Sequence, residues 1–176
     1  MTLDILKEQL GEFAKDAALN ISSLLTEQAV DDLSAKQIAA VALASVYTTK
    51  QADLIKTIHS YAEKFLNATE IEGVKAATSL MAMSNVYYRF IHIAADKEFK
   101  SLPAKLRMNK MTSHGMEQVD FELSALAVSA INNCELCMNS HVNNLKKQGV
   151  SFVGIQTVIR IAAVMNATAQ SLVIQQ

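Results

Sequence analysis

One proline, Pro103, and five glycines are the only strong helix breakers in this 176-residue chain. A β-rich fold turns every few residues, and glycine and proline supply many of the backbone angles those turns need. Punctuation this sparse argues against many short strands and for long helices. Alanine, leucine, lysine, glutamine and methionine are plentiful between the breakers, and all favour helix. Leu3, Leu6, Leu10, Phe13 and Ala17 recur at three- and four-residue steps, which predicts a first helix. Ser34-Ala35-Lys36-Gln37 is a capping-box pattern that opens a helix to about Tyr47, and another helix covers about Gln51 to Leu66. Thr69-Glu70-Ile71-Glu72 reads as a second box before a long helix to about Phe90. Residues 96–118, with Pro103 and Gly115, read as an irregular connector with one short helix. Three more helices follow: Val119 to Ala130, Cys134 to Gly149, and one capped by Ser151 that runs to about Leu172. The expected fold is all-α, a helical bundle forming a single domain over 1–176.

The bundle carries a faint internal repeat. Ala42-Leu43-Ala44-Ser45-Val46-Tyr47 resembles Ala125-Leu126-Ala127-Val128-Ser129-Ala130, and Leu80-Met81-Ala82-Met83-Ser84-Asn85 resembles Ile161-Ala162-Ala163-Val164-Met165-Asn166. The reading is a degenerate copy over about 34–95 and an active copy over about 119–172. Lys50 and Asp53 then stand opposite Cys134 and Cys137. A hydrophobic content of 51% with 19% charged residues suits a well-buried globule with subunit contacts. A net charge of −1 gives no attraction to nucleic acid or an anionic membrane. No uninterrupted apolar run approaches the ~20 residues that span a bilayer. Met1 to Glu8 is amphipathic and lacks a signal peptide's basic and apolar segments, so a cytoplasmic location is expected.

The chemistry concentrates in Cys134-Glu135-Leu136-Cys137-Met138-Asn139-Ser140-His141, which holds the chain's two cysteines. Thiols three positions apart on a helix can close into a disulfide, and His141 shares the face of Cys137 at i+4. That arrangement suits thiol–disulfide exchange with a built-in proton acceptor. Cys134, Cys137 and His141 could instead supply three ligands of a catalytic zinc, but no fourth ligand or second C-x-x-C accompanies them, and no metal is expected. Two inert buried cysteines are a further reading, weakened by the polar neighbours Asn132, Asn133, Glu135, Asn139 and Ser140. Asn132 or Asn133 as N-cap would put Cys134 in the first turn, where the helix dipole favours a thiolate. The dipole thus favours Cys134 as the attacking thiol and the histidine favours Cys137. Glu122 lies on an otherwise apolar helix and would orient His141 if that helix packs antiparallel beside the cysteine helix. It could equally complement its own helix dipole. His59 and His92 read as surface or packing residues, and His114 lies in the connector within reach of the site.

Phe121-Glu122-Leu123, Ala127 to Asn132 and Cys134-x-x-Cys137-x-x-x-His141 closely resemble the AhpD family of alkyl hydroperoxide reductases. This family belongs to the carboxymuconolactone-decarboxylase-like superfamily. Ser84 to Arg89 and Leu106 to Asn109 resemble it too, and the likeness covers nearly the whole chain. It implies an internally duplicated all-helical fold and a homo-oligomer, a trimer or a multiple of one. It implies a thiol-dependent antioxidant whose dithiol reduces a partner peroxiredoxin of the AhpC type. Lipoyl groups (dihydrolipoamide) of a dehydrogenase complex would supply the electrons, with no tightly bound cofactor. Glu122, Cys134, Cys137 and His141 would form the proton relay and redox pair. The chain departs from the family at Leu136, where a relay histidine is usual, and at Asn133, where glycine is frequent. Two other classes compete: a carboxymuconolactone-decarboxylase-type enzyme, whose chemistry needs no dithiol, and a non-enzymatic redox-sensing helical oligomer.

Overall fold

The computed structural model describes residues 2–175, and among these the regular structure is entirely helical. The α-helices are α1 (Leu3–Gln9), α2 (Lys15–Leu24), α3 (Ala35–Thr49), α4 (Ala52–Ala62), α5 (Ala68–Ala94), α6 (Lys97–Ser101), α7 (Gln118–Ile131), α8 (Glu135–Lys147) and α9 (Phe152–Ile174). Single 3-10 turns occupy Glu12–Ala14 and Asn109–Met111.

α3 and α7 form the centre. Every residue of α3 from Ile38 to Val46 and of α7 from Asp120 to Ser129 is buried. A helix apolar all round must be enclosed by other helices. α7 accordingly packs against α3, α5, α8 and α9. The entry to α7 is pinned by charge. Lys36 bridges Glu70 of α5 at 2.6 Å and the buried Asp120 at 3.3 Å, and Gln37 donates to Asp120 at 3.1 Å. This ties together the first turns of α3, α5 and α7, and Glu122 follows two residues after Asp120.

Several boundaries differ from the sequence expectation. The first helix is two helices, because Leu10 and Gly11 adopt extended backbone between α1 and α2. A glycine inside a helix costs ~1 kcal/mol relative to alanine, and the break lets α1 pack on α4 while α2 packs on α9. The cap of α5 is Asn67 rather than Thr69. Its side chain accepts from the Glu70 N–H at 3.0 Å while Glu70 accepts from the Asn67 N–H at 2.9 Å. Glu72 pairs with Lys75 instead. α4 stops at Ala62, so that Leu66 can turn into the core. The Ser34–Gln37 box and the Ser151 cap form as read. α9 meets the length and composition of a membrane span despite its interrupting polar residues. Here it serves as a core helix, packed against α3, α7 and α2.

Candidate active site

The loop between α7 and α8 explains the position of the cysteines. α7 ends in a Schellman motif: the Cys134 N–H donates to the Ser129 carbonyl at 3.0 Å and the Asn133 N–H to the Ala130 carbonyl at 3.1 Å. Such a motif needs one left-handed residue, and Asn133 fills it at φ 55°. Asparagine is the side chain that tolerates this region best after glycine.

The chain then enters α8 directly, with Cys134 itself as N-cap. The first-turn position expected for Cys134, with an asparagine cap, is therefore corrected by one position. Cys137 is the N3 residue, still within the first turn. N-cap and N3 are the two positions that a capping side chain normally bridges. Here a covalent Cys134–Cys137 disulfide does so, across a Cα–Cα distance of 5.3 Å. As N-cap and N3 residues both cysteines lie at the positive end of α8, which favours thiolate in the reduced pair. Gln51 caps α4 as Cys134 caps α8.

Cys134 is fully buried, whereas Cys137 opens into a cavity of about 360 Å³. Met81, Ser84 and Tyr88 of α5, Met108 and Met111 of the connector, and Leu136, Ser140 and His141 of α8 complete its lining. The walls are mostly apolar. A larger cleft of about 440 Å³ between α1, α2 and α4 contains Asp4, Lys7, Glu27 and Lys64 but no cysteine or histidine.

His141 is buried, and its Nδ1 lies 2.7 Å from Glu122 Oε2. Its Nε2 lies 3.2 Å from Met81 Sδ. The other Glu122 oxygen accepts from Gln118 at 3.2 Å and from Asn144 at 3.3 Å. Burial pushes the Glu122 carboxyl up, but His141, Asn144 and Gln118 outweigh it and hold the group below the usual carboxylate range. An anionic Glu122 facing Nδ1 makes that nitrogen the proton-bearing one and leaves Nε2, beside Met81 Sδ, as the nitrogen with a lone pair.

A second network fixes α5 against the cysteine loop. Asn85 donates to Ser129 at 3.0 Å and accepts from the Asn132 amide at 3.0 Å, while Arg89 donates to the Asn132 carbonyl at 2.9 Å. Of the four residues singled out in the sequence, Cys137 and His141 line the cavity, while Cys134 is joined to Cys137 by the disulfide and Glu122 to His141 by the 2.7 Å contact. His59 and His92 pair with Glu63 and Glu135 on the surface. His114 reaches Gln118 at 3.1 Å. The sequence reading missed Met81, Gln118 and Asn144 as partners of the site. Gln118 lies four residues before Glu122 and Asn144 three after His141, spacings that share a helix face. Met81 comes from a distant helix and carries no such signal.

Comparison with known proteins bears on the whole chain. Residues 97–173 match the model of the carboxymuconolactone decarboxylase family. A Coxiella burnetii protein (strain Dugway 5J108-111) named alkyl hydroperoxide reductase AhpD is 48% identical over 173 residues, 98% of each chain. The proteins of that name from Maricaulis maris and Rhodopseudomonas palustris (strain BisA53) are 44% and 40% identical, covering 96% and 98% of this chain and 96% and 93% of their own. With identity at this level spread over nearly its full length, the chain belongs to the alkyl hydroperoxide reductase AhpD family.

Proposed function

We propose that this protein is a thiol-dependent antioxidant oxidoreductase whose Cys134–Cys137 pair carries two electrons from a lipoyl dithiol to a peroxiredoxin of the AhpC type, with weak direct activity on alkyl hydroperoxides. The observation that carries this reading is Cys137 opening into the same cavity as His141, whose imidazole is held by Glu122 at 2.7 Å. Cys137 is the attacking thiol, because Cys134 is fully buried. His141 Nε2 takes the Cys137 proton. The thiolate attacks the outer oxygen of a hydroperoxide, the O–O bond breaks, and the returning proton leaves with the alcohol. The Cys134 thiol then attacks the Cys137 sulfenic sulfur, forms the disulfide and releases water. The sum is two thiols and one hydroperoxide giving one disulfide, one alcohol and one water. With a peroxiredoxin disulfide the same thiolate forms a mixed disulfide that Cys134 resolves. A dihydrolipoyl group reopens the pair by two further exchanges, so no tightly bound cofactor is required. Met81, Met108, Met111 and Leu136 suit the apolar chain of an alkyl peroxide or a lipoyl arm.

The reading is one domain, cytoplasmic, in which 34–95 is the degenerate and 119–172 the active copy of a helical unit. Both copies run long helix, shorter helix, long helix: α3, α4, α5 and α7, α8, α9. The protein is a homo-oligomer, a trimer or a multiple of one. Val86, Phe90 and Ile93 of α5, with Phe99 and Leu102 beyond it, form an exposed apolar stripe that supports a helix-on-helix contact. Sedimentation equilibrium at micromolar concentration is expected to give a multiple of 19.2 kDa. A monomer there would reject the oligomer.

Leu136 lies half-exposed on the cavity lining, at the position where the family resemblance implies a relay histidine. Leu136→His is expected to shift the pH profile of turnover, since it puts a second titrating group beside Cys137. An unchanged profile would show that no relay passes that position. The reading as a whole is tested by dihydrolipoamide-driven reduction of an alkyl hydroperoxide, with and without the peroxiredoxin of the same genome. Turnover that rises with the peroxiredoxin is expected. No turnover in either arm would favour the redox-sensing oligomer.

A further inference from the structure

Glu122 does not stand alone behind His141. Its Oε1 is the end of a hydrogen-bond chain whose polarity is set by the backbone. The Met116 N–H donates to His114 Nδ1 at 3.3 Å, so that nitrogen carries no proton. His114 Nε2 must then be the N–H, and its partner at 3.1 Å is Gln118 Oε1. With the Gln118 oxygen so occupied, its amide nitrogen faces Glu122 Oε1 at 3.2 Å as a donor. Every link fixes the direction of the next. A flipped Gln118 would set an oxygen against a carboxylate oxygen and an amide against an imidazole N–H.

The start of the chain is packed on both sides. The His114 ring stacks on the fully buried Phe121 with centroids 4.2 Å apart. The following turn uses Gly115 at φ +79° and presses against Gly73 of α5. A Cβ on Gly73 would lie 2.6 Å from Met116 Sδ and 3.0 Å from the His114 carbonyl oxygen. The connector therefore closes on α5 at the one place where α5 has no side chain.

We propose that Gln118 and His114 are positioning residues for the proton-accepting unit. They hold the Glu122 carboxylate in the plane that aims Oε2 at His141 Nδ1, and they help keep it anionic. The inference rests on the reading of Glu122 and His141 given above. Without Gln118, Asn144 alone holds Oε1, and the carboxylate can rotate away from the imidazole. The imidazolium that forms when Cys137 ionises then loses part of its counter-charge, so the thiolate forms at higher pH. The titratable groups around this unit are Glu122 of α7, Tyr88 of α5 and His114 of the connector, with the His92–Glu135 pair at 3.3 Å across the start of α8.

The test is the rate of Cys137 alkylation by iodoacetamide against pH, in reduced protein with a Cys134→Ser background so that a single thiol is read. It needs no peroxidase turnover, so its failure is distinct from failure of the proposed activity. Gln118→Leu removes the donor. His114→Phe keeps the ring on Phe121 and removes both nitrogens. Each is expected to raise the midpoint of the rate profile by about half a unit, a roughly threefold loss of thiolate at neutral pH. Gln118→Met replaces Gln118→Leu if the latter loses its helical circular dichroism. An unchanged or lowered midpoint in folded Gln118 variants would overturn the proposal. A shift in the Gln118 variants without one in His114→Phe would overturn the part assigned to His114.

Discussion

Replacing either Glu122 or His141 by glutamine should lower dihydrolipoamide-dependent turnover by ~10²–10⁴-fold, the usual scale for a positioned acid–base group. The double variant should be little worse than the worse single one, because the two groups form one unit at 2.7 Å and each loses its purpose without the other. Turnover measured across pH for all three variants checks this. Full activity in either single variant, or losses that multiply, would show that the unit does not operate. A second consequence concerns stability. Glu122 is held below its ordinary value of 4.5, so the folded state binds its proton less readily than the unfolded state does. The resulting stability is fully present above about pH 4.5, and it is lost as pH falls through the depressed folded value. Glu122→Gln should therefore unfold with a weaker dependence on pH in the acidic range.

Both cysteine substitutions should abolish turnover, but they should fail differently. Cys134→Ser keeps the thiol that opens into the cavity. It should react once with an alkyl hydroperoxide and then stop, since no thiol remains to close the disulfide. It should also accumulate a mixed disulfide with lipoamide or with the peroxiredoxin. Cys137→Ser keeps only the enclosed thiol, and both adducts should be absent. Intact mass after one equivalent of peroxide, with and without the partner, reads each outcome. Adducts on Cys137→Ser rather than on Cys134→Ser would reverse the assignment and make the capping thiol the nucleophile.

Local rules carried much of this molecule. The box at Ser34 and Gln37, the cap at Ser151 and the all-helical class follow from propensity and spacing, and they hold because packing asks for the same thing. They fail where two local answers are equally good. Asn67–Glu70 and Thr69–Glu72 both satisfy a cap pattern; in the fold Glu70 closes the box and bridges to Lys36, while Glu72 pairs with Lys75. The apolar steps from Leu3 to Ala17 satisfy one helix, but α1 and α2 serve different neighbours.

At the site, the cysteines, His141 and Glu122 were legible because each stands out by type in its surroundings. The cap register was not, because it depends on Asn133 entering the left-handed region to end α7. Nor was Met81, whose sulfur meets His141 only through the packing of α5 on α8. The sequence offered two candidate nucleophiles on opposing arguments. In the fold Cys134 is fully buried, and of the two only Cys137 lines the cavity.

The central claim is that Cys134 and Cys137 form a working two-electron pair within one chain. The most direct measurement is a single turnover of the fully reduced protein with one equivalent of alkyl hydroperoxide, quenched by alkylation and read by intact mass. The account predicts the loss of two thiols from the same chain, one alcohol formed per disulfide, and recovery of both thiols on adding dihydrolipoamide. Peroxide consumed with both thiols intact, or oxidation that yields only disulfides between chains, would contradict it.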